Sequence, residues 1–81
     1  MYIAIGKEKW ICSDDLIGIF DLDITSQSYL TRRYLRNAEK AGQVVNTAED
    51  LPKTFAVCEE NGKSTVYLSQ TSTATLAKRI R

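Results

Sequence analysis

Apolar residues gather in short runs along the chain, and turn-forming residues separate these runs. Runs of roughly four to eight such residues are typical of β-strands. The pattern predicts strands over residues 2–5, 8–12, 16–22, 54–59 and 64–69, with a further short strand at Val44 and Val45. Residues 16–22 are nearly all apolar, so this strand is predicted to be buried on both faces of a sheet.

Turn signals fall between the predicted strands. Gly6-Lys7 and the segment 13–15 are expected to form turns near the start of the chain. Asn61-Gly62 is the strongest of these signals, because both residues tolerate a positive φ, and it predicts a tight hairpin between residues 54–59 and 64–69. Leu51-Pro52 is predicted to be extended, within a loop over residues 47–52.

Two segments have a helical period instead. The first is predicted to run to about Lys40, with Gly42 as its C-terminal glycine, and the second to run through Ile80. The candidate N-caps are Thr25, Ser26 and Ser28 for the first helix, and Ser69, Thr71 and Ser72 for the second. The chain is therefore predicted to be an α+β domain over residues 1–81, with a small, mainly antiparallel sheet and two helices.

Composition places the chain among ordinary globular proteins, since 43% of its residues are hydrophobic and 26% are charged. No signal peptide or membrane-length apolar run is visible, so a cytoplasmic location is predicted, with no membrane partner. In a reducing compartment Cys12 and Cys58 are expected to be unbridged, buried structural thiols. Two cysteines without histidine are also too few for a zinc site, and no metal or other cofactor is predicted.

The residues of an enzyme active site are not apparent. The chain has no histidine, and it lacks a glycine-rich phosphate loop and a nucleophile elbow. Asp14-Asp15 and the pair Asp21 and Asp23 would suit Mg²⁺ if they converged, but such acids more often bond to their own backbone in turns. The sequence therefore favours a protein that binds a macromolecule over an enzyme with a small-molecule substrate.

The first predicted helix has one apolar arc and one basic arc. At about 100° per residue the apolar arc contains Leu30, Tyr34, Leu35, Ala38 and Ala41. The opposite arc contains Arg32, Arg33, Arg36 and Lys40, which we call the cationic stripe. Cations on successive turns can meet phosphates, although an ordinary solvated helix face has the same pattern.

Charge is unevenly distributed along the chain, although the net charge is only +1. Residues 1–30 contain two lysines and five acids, whereas residues 31–81 contain nine basic and five acidic residues. This asymmetry permits a polyanionic partner. Four aromatic residues are candidates for an interface, but in a small domain they more often belong to the core: Tyr2, Trp10, Tyr29 and Tyr67.

Several segments resemble a known family. They are MYI at residues 1–3, SDDLIGIFD at 13–21, KTFAV at 53–57, VYLS at 66–69 and TLAKR at 75–79. Together they are similar to the RemA/RemB family of extracellular matrix regulators of spore-forming Gram-positive bacteria, and most of all to its RemB type. The resemblance covers nearly the whole chain.

The resemblance implies a DNA-binding transcriptional regulator of biofilm matrix genes. RemA-type members resemble the LytTR DNA-binding fold and assemble into rings that DNA contacts repeatedly, so a homo-oligomer is expected. Arg32 and Arg33 match basic positions of the family. With Arg36, Lys40 and Lys53 they are the predicted DNA-binding residues.

The chain also departs from the RemA pattern. Asp15 stands where RemA-like proteins have an arginine, and Pro52 and Lys53 stand where they have paired arginines. These differences favour an alternative, in which the chain is a protein-interaction or scaffold subunit of the same fold with little DNA affinity.

Overall fold

The computed structural model describes residues 1–6, 8–25 and 27–80. The strands are β1 (Tyr2–Gly6), β2 (Lys9–Cys12), β3 (Leu16–Asp21), β4 (Val44–Asn46), β5 (Thr54–Glu60) and β6 (Lys63–Ser69). The α-helices are α1 (Leu22–Thr25), α2 (Tyr29–Lys40) and α3 (Thr73–Arg79), and a 3-10 turn at Ser13–Asp15 joins β2 to β3. The α+β class predicted from the sequence is confirmed.

The strands form two sheets. β1 and β2 make an antiparallel pair, and the other four strands form a sheet in the order β3-β5-β6-β4. In this larger sheet β5 is antiparallel to both β3 and β6, whereas the short β4 runs parallel to β6. The mainly antiparallel sheet is therefore confirmed, while the likeness to the LytTR fold stays a prediction.

The hairpin of β5 and β6 forms where Asn61-Gly62 predicts it. Asn61 has a φ of 53° and Gly62 a φ of 78°, so both turn residues are in the left-handed region. This is the type I′ geometry, whose twist matches that of the flanking strands. Gly42 ends α2 in the same region, with a φ of 72°, as a C-terminal glycine does.

One face of the four-stranded sheet is covered by the β1–β2 pair and α3, and we call it the β1–β2 face. Its apolar cluster contains Ile3, Ile5, Ile11, Ala56, Cys58 and Leu76. The buried Ser69 hydroxyl donates a hydrogen bond to the Ile5 carbonyl, and Arg79 Nη1 donates one of 2.8 Å to the Ala4 carbonyl. These bonds fasten β1 to the sheet and to α3.

The opposite face, the α2 face, has a smaller buried cluster. Ala38, Phe55 and Val66 are buried there, with half-buried side chains around them that include Leu35 and Val57. Successive residues of β5 thus contribute to opposite faces, as the pleat requires. Helix α2 packs mainly against β4 and β6, so it covers one half of this face.

The prediction that residues 16–22 are buried on both faces is wrong. Strand β3 lies at an edge of the sheet and pairs, among the described strands, with β5 alone. Its register shifts between Leu16 and Gly18, which leaves Ile17 as the extra residue of a bulge, 61% exposed. Phe20 is also exposed, because α2 lies over the other half of the sheet.

The prediction of two helices is also wrong, because α1 adds a single helical turn directly after β3. Asp21 explains why the predicted strand stops one residue early. Its carboxylate accepts hydrogen bonds from the backbone N–H groups of Asp23 at 2.8 Å and Ile24 at 3.2 Å. An aspartate in this position caps a helix, so the chain turns into α1 at Leu22.

The remaining boundaries follow the sequence closely. Helix α2 has Ser28 as its N-cap, without a side-chain cap bond, and Ser72 caps α3 by accepting a 3.2 Å bond from the Thr75 N–H. Two predicted features, the N-cap at Ser26 and the Lys7 half of the first turn, lie outside the described residues. The expectation that the aromatic residues belong to the core is wrong for the three that are largely exposed: Tyr2, Trp10 and Tyr29.

Candidate functional site

Helix α2 is rotated relative to the arrangement that its apolar arc suggests. Ala38 is buried and Thr31 and Leu35 are half-buried, whereas Leu30 is 71% exposed and Tyr34 is 42% exposed. The three packed residues span roughly 60° of the helix. Only one side of the apolar arc therefore contacts the sheet, and its other side faces outward.

The cationic stripe lies on the surface of α2. All four of its residues are exposed, as the sequence predicts for an arc opposite the packed side. By the helical period Arg33, Arg36 and Lys40 lie within roughly 50° of the direction that points away from the sheet, and Arg32 lies at the flank. From Arg32 to Lys40 the stripe extends about 12 Å along the helix axis.

Lys53 is exposed but belongs to a different element. It lies in the loop before β5, where its N–H donates to the Ser69 carbonyl and its carbonyl accepts from the Leu22 N–H, both at 2.8 Å. The same loop contains Glu49 and Asp50, whose N–H groups both donate to the Gln70 side chain. The structure therefore brings the four helix cations together and places Lys53 at the junction of α1 and β5.

An apolar groove runs between the exposed side of α2 and the edge of the sheet. It has a volume of about 370 Å³ and is lined by Ile17, Phe20, Leu30, Thr31, Tyr34, Phe55 and Val57. The rings of Phe20 and Phe55 stack with their centroids 5.0 Å apart. Gly18 makes room for this arrangement, because a Cβ there would come within 2.9 Å of the Phe20 ring.

A second cavity, which we call the β1–β2 cavity, has a polar lining. It has a volume of about 320 Å³ and is lined by Tyr2, Lys9, Trp10, Ile11, Cys12, Asp15, Cys58, Glu60, Thr65 and Tyr67. Sequence reasoning missed it, because its walls come from β1, β2, the 3-10 turn, β5 and β6, which lie together only once the β1–β2 pair has packed on the sheet. The sequence feature that came closest to indicating this cavity was the presence of Tyr2 and Trp10 in two short predicted strands joined by a turn.

The two thiols in this cavity are free, as predicted from the sequence. The prediction that both are buried is wrong for Cys12, which is half-buried, whereas Cys58 is buried. Burial raises the pKa of Cys58 to about 11, and the charges of Asp15, Cys12 and Glu60 add to this. Burial also raises the pKa of Tyr67, with further contributions from Cys58, Glu60 and Asp15. Cys58 is therefore protonated at neutral pH and unsuited to nucleophilic chemistry.

The candidate acids do not form a metal site within the described part of the chain. Across residues 1–6, 8–25 and 27–80, no three side chains of the metal-binding types come close enough together to hold an ion. Asp21 caps α1 instead, and Asp15 lines the β1–β2 cavity, on the face of the sheet opposite α2.

Comparison with known proteins identifies the family. The fold and its surface define a small α+β protein with an exposed cationic helix. No model of a protein family matches the sequence. The chain is 30% identical over 79 residues to extracellular matrix regulatory protein B of Bacillus subtilis (strain 168), an alignment that covers 98% of this chain and 89% of that protein. This chain therefore belongs to the family of extracellular matrix regulatory protein B, which confirms the resemblance predicted from its sequence.

The lengths and hydropathy of the described helices can be compared with those of membrane-spanning helices. None of those within residues 1–6, 8–25 and 27–80 is long and apolar enough to cross a bilayer.

Proposed function

We propose that this chain regulates extracellular matrix genes by binding DNA as an assembly of several subunits, with the cationic stripe of α2 against the phosphates. The observation that carries the proposal is the exposure of Arg33, Arg36 and Lys40 on the side of α2 that faces away from the sheet. The suggestion that the regulated genes are those of the extracellular matrix comes from the name of the chain's relative, an extracellular matrix regulatory protein. A regulator of this kind acts in the cytoplasm, where bacterial DNA lies.

The physical basis is attraction between guanidinium or ammonium groups and phosphate oxygens. Arginine offers a planar fork of donors that fits two phosphate oxygens at once. Such contacts position a protein on DNA without reading its sequence, and they weaken as salt rises. Because the chain carries a net charge of only +1, one subunit is expected to bind weakly, and several linked subunits are expected to bind far more strongly.

The α2 face supports the assembly part of the proposal. The groove exposes apolar side chains of Ile17, Phe20 and Leu30, and β3 beside it has an unpaired edge among the described strands. Contiguous apolar surface and open strand edges are both typical of protein–protein contact sites. We expect light scattering behind size exclusion to give a mass several times 9.1 kDa, and a monomer at micromolar concentration would contradict the assembly.

The DNA-binding part is tested by fluorescence anisotropy with labelled duplex DNA at low and moderate salt. Reversing Arg33 and Arg36 to Glu is expected to weaken binding by at least about tenfold and to lower the salt slope by about 0.9 for each lost phosphate contact. The matched control compares single reversals, Arg36→Glu on α2 with Lys78→Glu on α3. Both residues are exposed, but α3 packs on the opposite face of the sheet. If both reversals weaken binding equally, the stripe is not the DNA-binding surface.

A second candidate function is that of a protein-interaction or scaffold subunit. The exposed groove favours it, because this surface suits a protein partner as well as a second copy. Asp14 and Asp15 favour it too, since they stand at a position that is basic in RemA-type relatives. Absence of binding by the wild-type protein at low salt, with the assembly intact, would establish the scaffold function in place of DNA binding.

A further inference from the structure

The β1–β2 cavity combines aromatic rings with carboxylates. Tyr2, Trp10 and Tyr67 line it together with Asp15 and Glu60. An aromatic ring carries negative charge on its faces, so several rings around one space attract a cation. Carboxylates beside the rings strengthen that attraction and oppose the entry of an anion. The lining therefore has the chemistry that proteins use to recognise organic cations.

The chain's own lysine shows that a cation fits this environment. The ammonium nitrogen of Lys9 lies 5.5 Å from the centre of the Tyr67 ring, which is the geometry of a cation–π contact. Lys9 itself lines the cavity and is half-buried. Its long, flexible side chain can withdraw when another cation enters.

We propose that the β1–β2 cavity binds a small organic cation of the ammonium or guanidinium class, held between the rings of Trp10 and Tyr67 and the carboxylates of Asp15 and Glu60. The volume of about 320 Å³ lies at the lower end of the range for ligand sites, so the ligand is small. Trp10 is 60% exposed, which leaves its ring available to a ligand. In this proposal Lys9 occupies part of the site until the ligand displaces it.

Other ligand classes fit less well. Asp15 and Glu60 repel anions, and no three metal-ligating side chains of the described residues converge here. Cys58 keeps its proton at neutral pH, because burial and nearby negative groups raise its pKa, so a covalent adduct at this thiol is disfavoured. Among the charged residues of the lining, the two carboxylates of Asp15 and Glu60 outnumber the single ammonium group of Lys9.

This inference is independent of DNA binding. The cavity lies on the β1–β2 face and the cationic stripe lies on the α2 face, so a variant of one is not expected to alter the other directly. Failure of the DNA experiment leaves the cavity experiment interpretable, and the reverse holds too.

The test uses Trp10 as a reporter, since it is the only tryptophan of the chain. The wild-type protein is titrated with choline, with arginine methyl ester and with 3,3-dimethylbutan-1-ol, the neutral isostere of choline. We expect a saturable change in Trp10 emission with at least one of the two cations and none with the neutral alcohol. The two cationic probes distinguish the ammonium from the guanidinium group. Ligand-observed NMR provides a second reading that does not depend on fluorescence.

Variants locate the site. Asp15→Asn combined with Glu60→Gln is expected to weaken cation binding by about tenfold or more, because both counter-charges are lost. Glu59→Gln is the matched control, since Glu59 is the exposed neighbour of Glu60 on β5 and does not line the cavity. Lys9→Met is expected to tighten binding several-fold by removing the competing ammonium. Circular dichroism confirms that each variant is folded.

Three results would overturn the proposal. The first is the absence of any cation response in both fluorescence and NMR at millimolar ligand. The second is equal binding of the neutral alcohol, and the third is equal loss of binding in Glu59→Gln and in the double variant.

Discussion

The two faces of the four-stranded sheet differ in how completely they are covered. On the β1–β2 face, a strand pair and α3 lie over the sheet, and Ile3, Ile5 and Leu76 are almost fully buried. On the α2 face, a single helix lies mainly over β4 and β6, and apolar side chains near β3 remain exposed. A helix is about 10 Å across and strands are about 4.8 Å apart, so one helix covers roughly two strands of four.

This difference separates the face that contributes most to folding stability from the face that is open to association with other macromolecules. The β1–β2 face holds the larger buried cluster. Thr54 and Ser69, the buried polar residues of the part of the chain that the structure describes, form hydrogen bonds there or at its margin. The α2 face presents the groove and the cationic stripe instead. Substitutions on the first face are therefore expected to change the free energy of unfolding, and those on the second to change association.

The largest expected effect is on the β1–β2 face. Ile5 is fully buried in its cluster, so Ile5→Ala is expected to lower the free energy of unfolding by about 3 kcal/mol, from lost burial and the cavity left behind. Chemical denaturation measures this. Leu30→Ala on the α2 face is the comparison, with an expected loss below about 1 kcal/mol because Leu30 is largely exposed. Equal losses would show that the two faces do not differ as described.

The pH dependence of stability is expected to depend on Cys58. Its pKa rises from 9.0 to about 11 on folding, so between these pH values the unfolded chain releases a thiol proton that the folded protein keeps. The free energy of unfolding is then expected to fall by about 2 kcal/mol as pH rises from 9 to 11. Denaturation at several pH values compares wild type with Cys58→Ala, in which this part of the decline is expected to vanish. A decline of the same size in Cys58→Ala would assign it to other groups.

Ser69 tests how the β1–β2 pair is fastened to the sheet. Its hydroxyl donates to the Ile5 carbonyl and accepts from the Thr71 N–H at 3.0 Å, and the side chain is fully buried. Ser69→Ala removes both of these hydrogen bonds, with an expected loss in the free energy of unfolding of about 1–2 kcal/mol. Hydrogen exchange is expected to show faster exchange in β1 and β2 than in β5 and β6. Uniform loss of protection throughout the sheet would contradict this local effect.

The smallest expected effect on folding belongs to the groove. Leu30→Gln is expected to change the free energy of unfolding by no more than about 0.5 kcal/mol, because Leu30 contributes little burial within one subunit. The same substitution is expected to reduce the mass seen by light scattering. Tyr29→Gln is the control, since Tyr29 is also largely exposed on α2 but is not among the residues that line the groove. An unchanged assembly in Leu30→Gln would exclude the groove as its contact surface.

Local signals predicted most of the elements. Asn61-Gly62 specified the β5–β6 hairpin because its turn geometry depends on those two residues, and Gly42 marked the end of α2 for the same kind of reason. The position of β3 at an edge could not be predicted, because strand order depends on which distant segments pair. An apolar strand has the same sequence pattern whether its second face is covered or exposed.

The candidate sites were predictable to different degrees. The cationic stripe depends only on the period of one helix, so its exposure followed from the sequence. The groove and the β1–β2 cavity each require several elements to meet. The rotation of α2 that exposes Leu30 and Tyr34 is set by packing against β4 and β6. The helical period alone does not predict this packing.

The β1–β2 cluster joins residues from distant parts of the sequence, since Ile3 and Ile5 pack with Leu76. The α2 cluster uses residues between Leu22 and Leu68. A ribosome makes a chain from its N-terminal side, so Ile3 and Ile5 are made well before Leu76, and the residues of the α2 cluster are complete before α3 is made. We therefore expect the β1–β2 pair to dock last during synthesis, and the β1–β2 cavity to appear only in this final folding step.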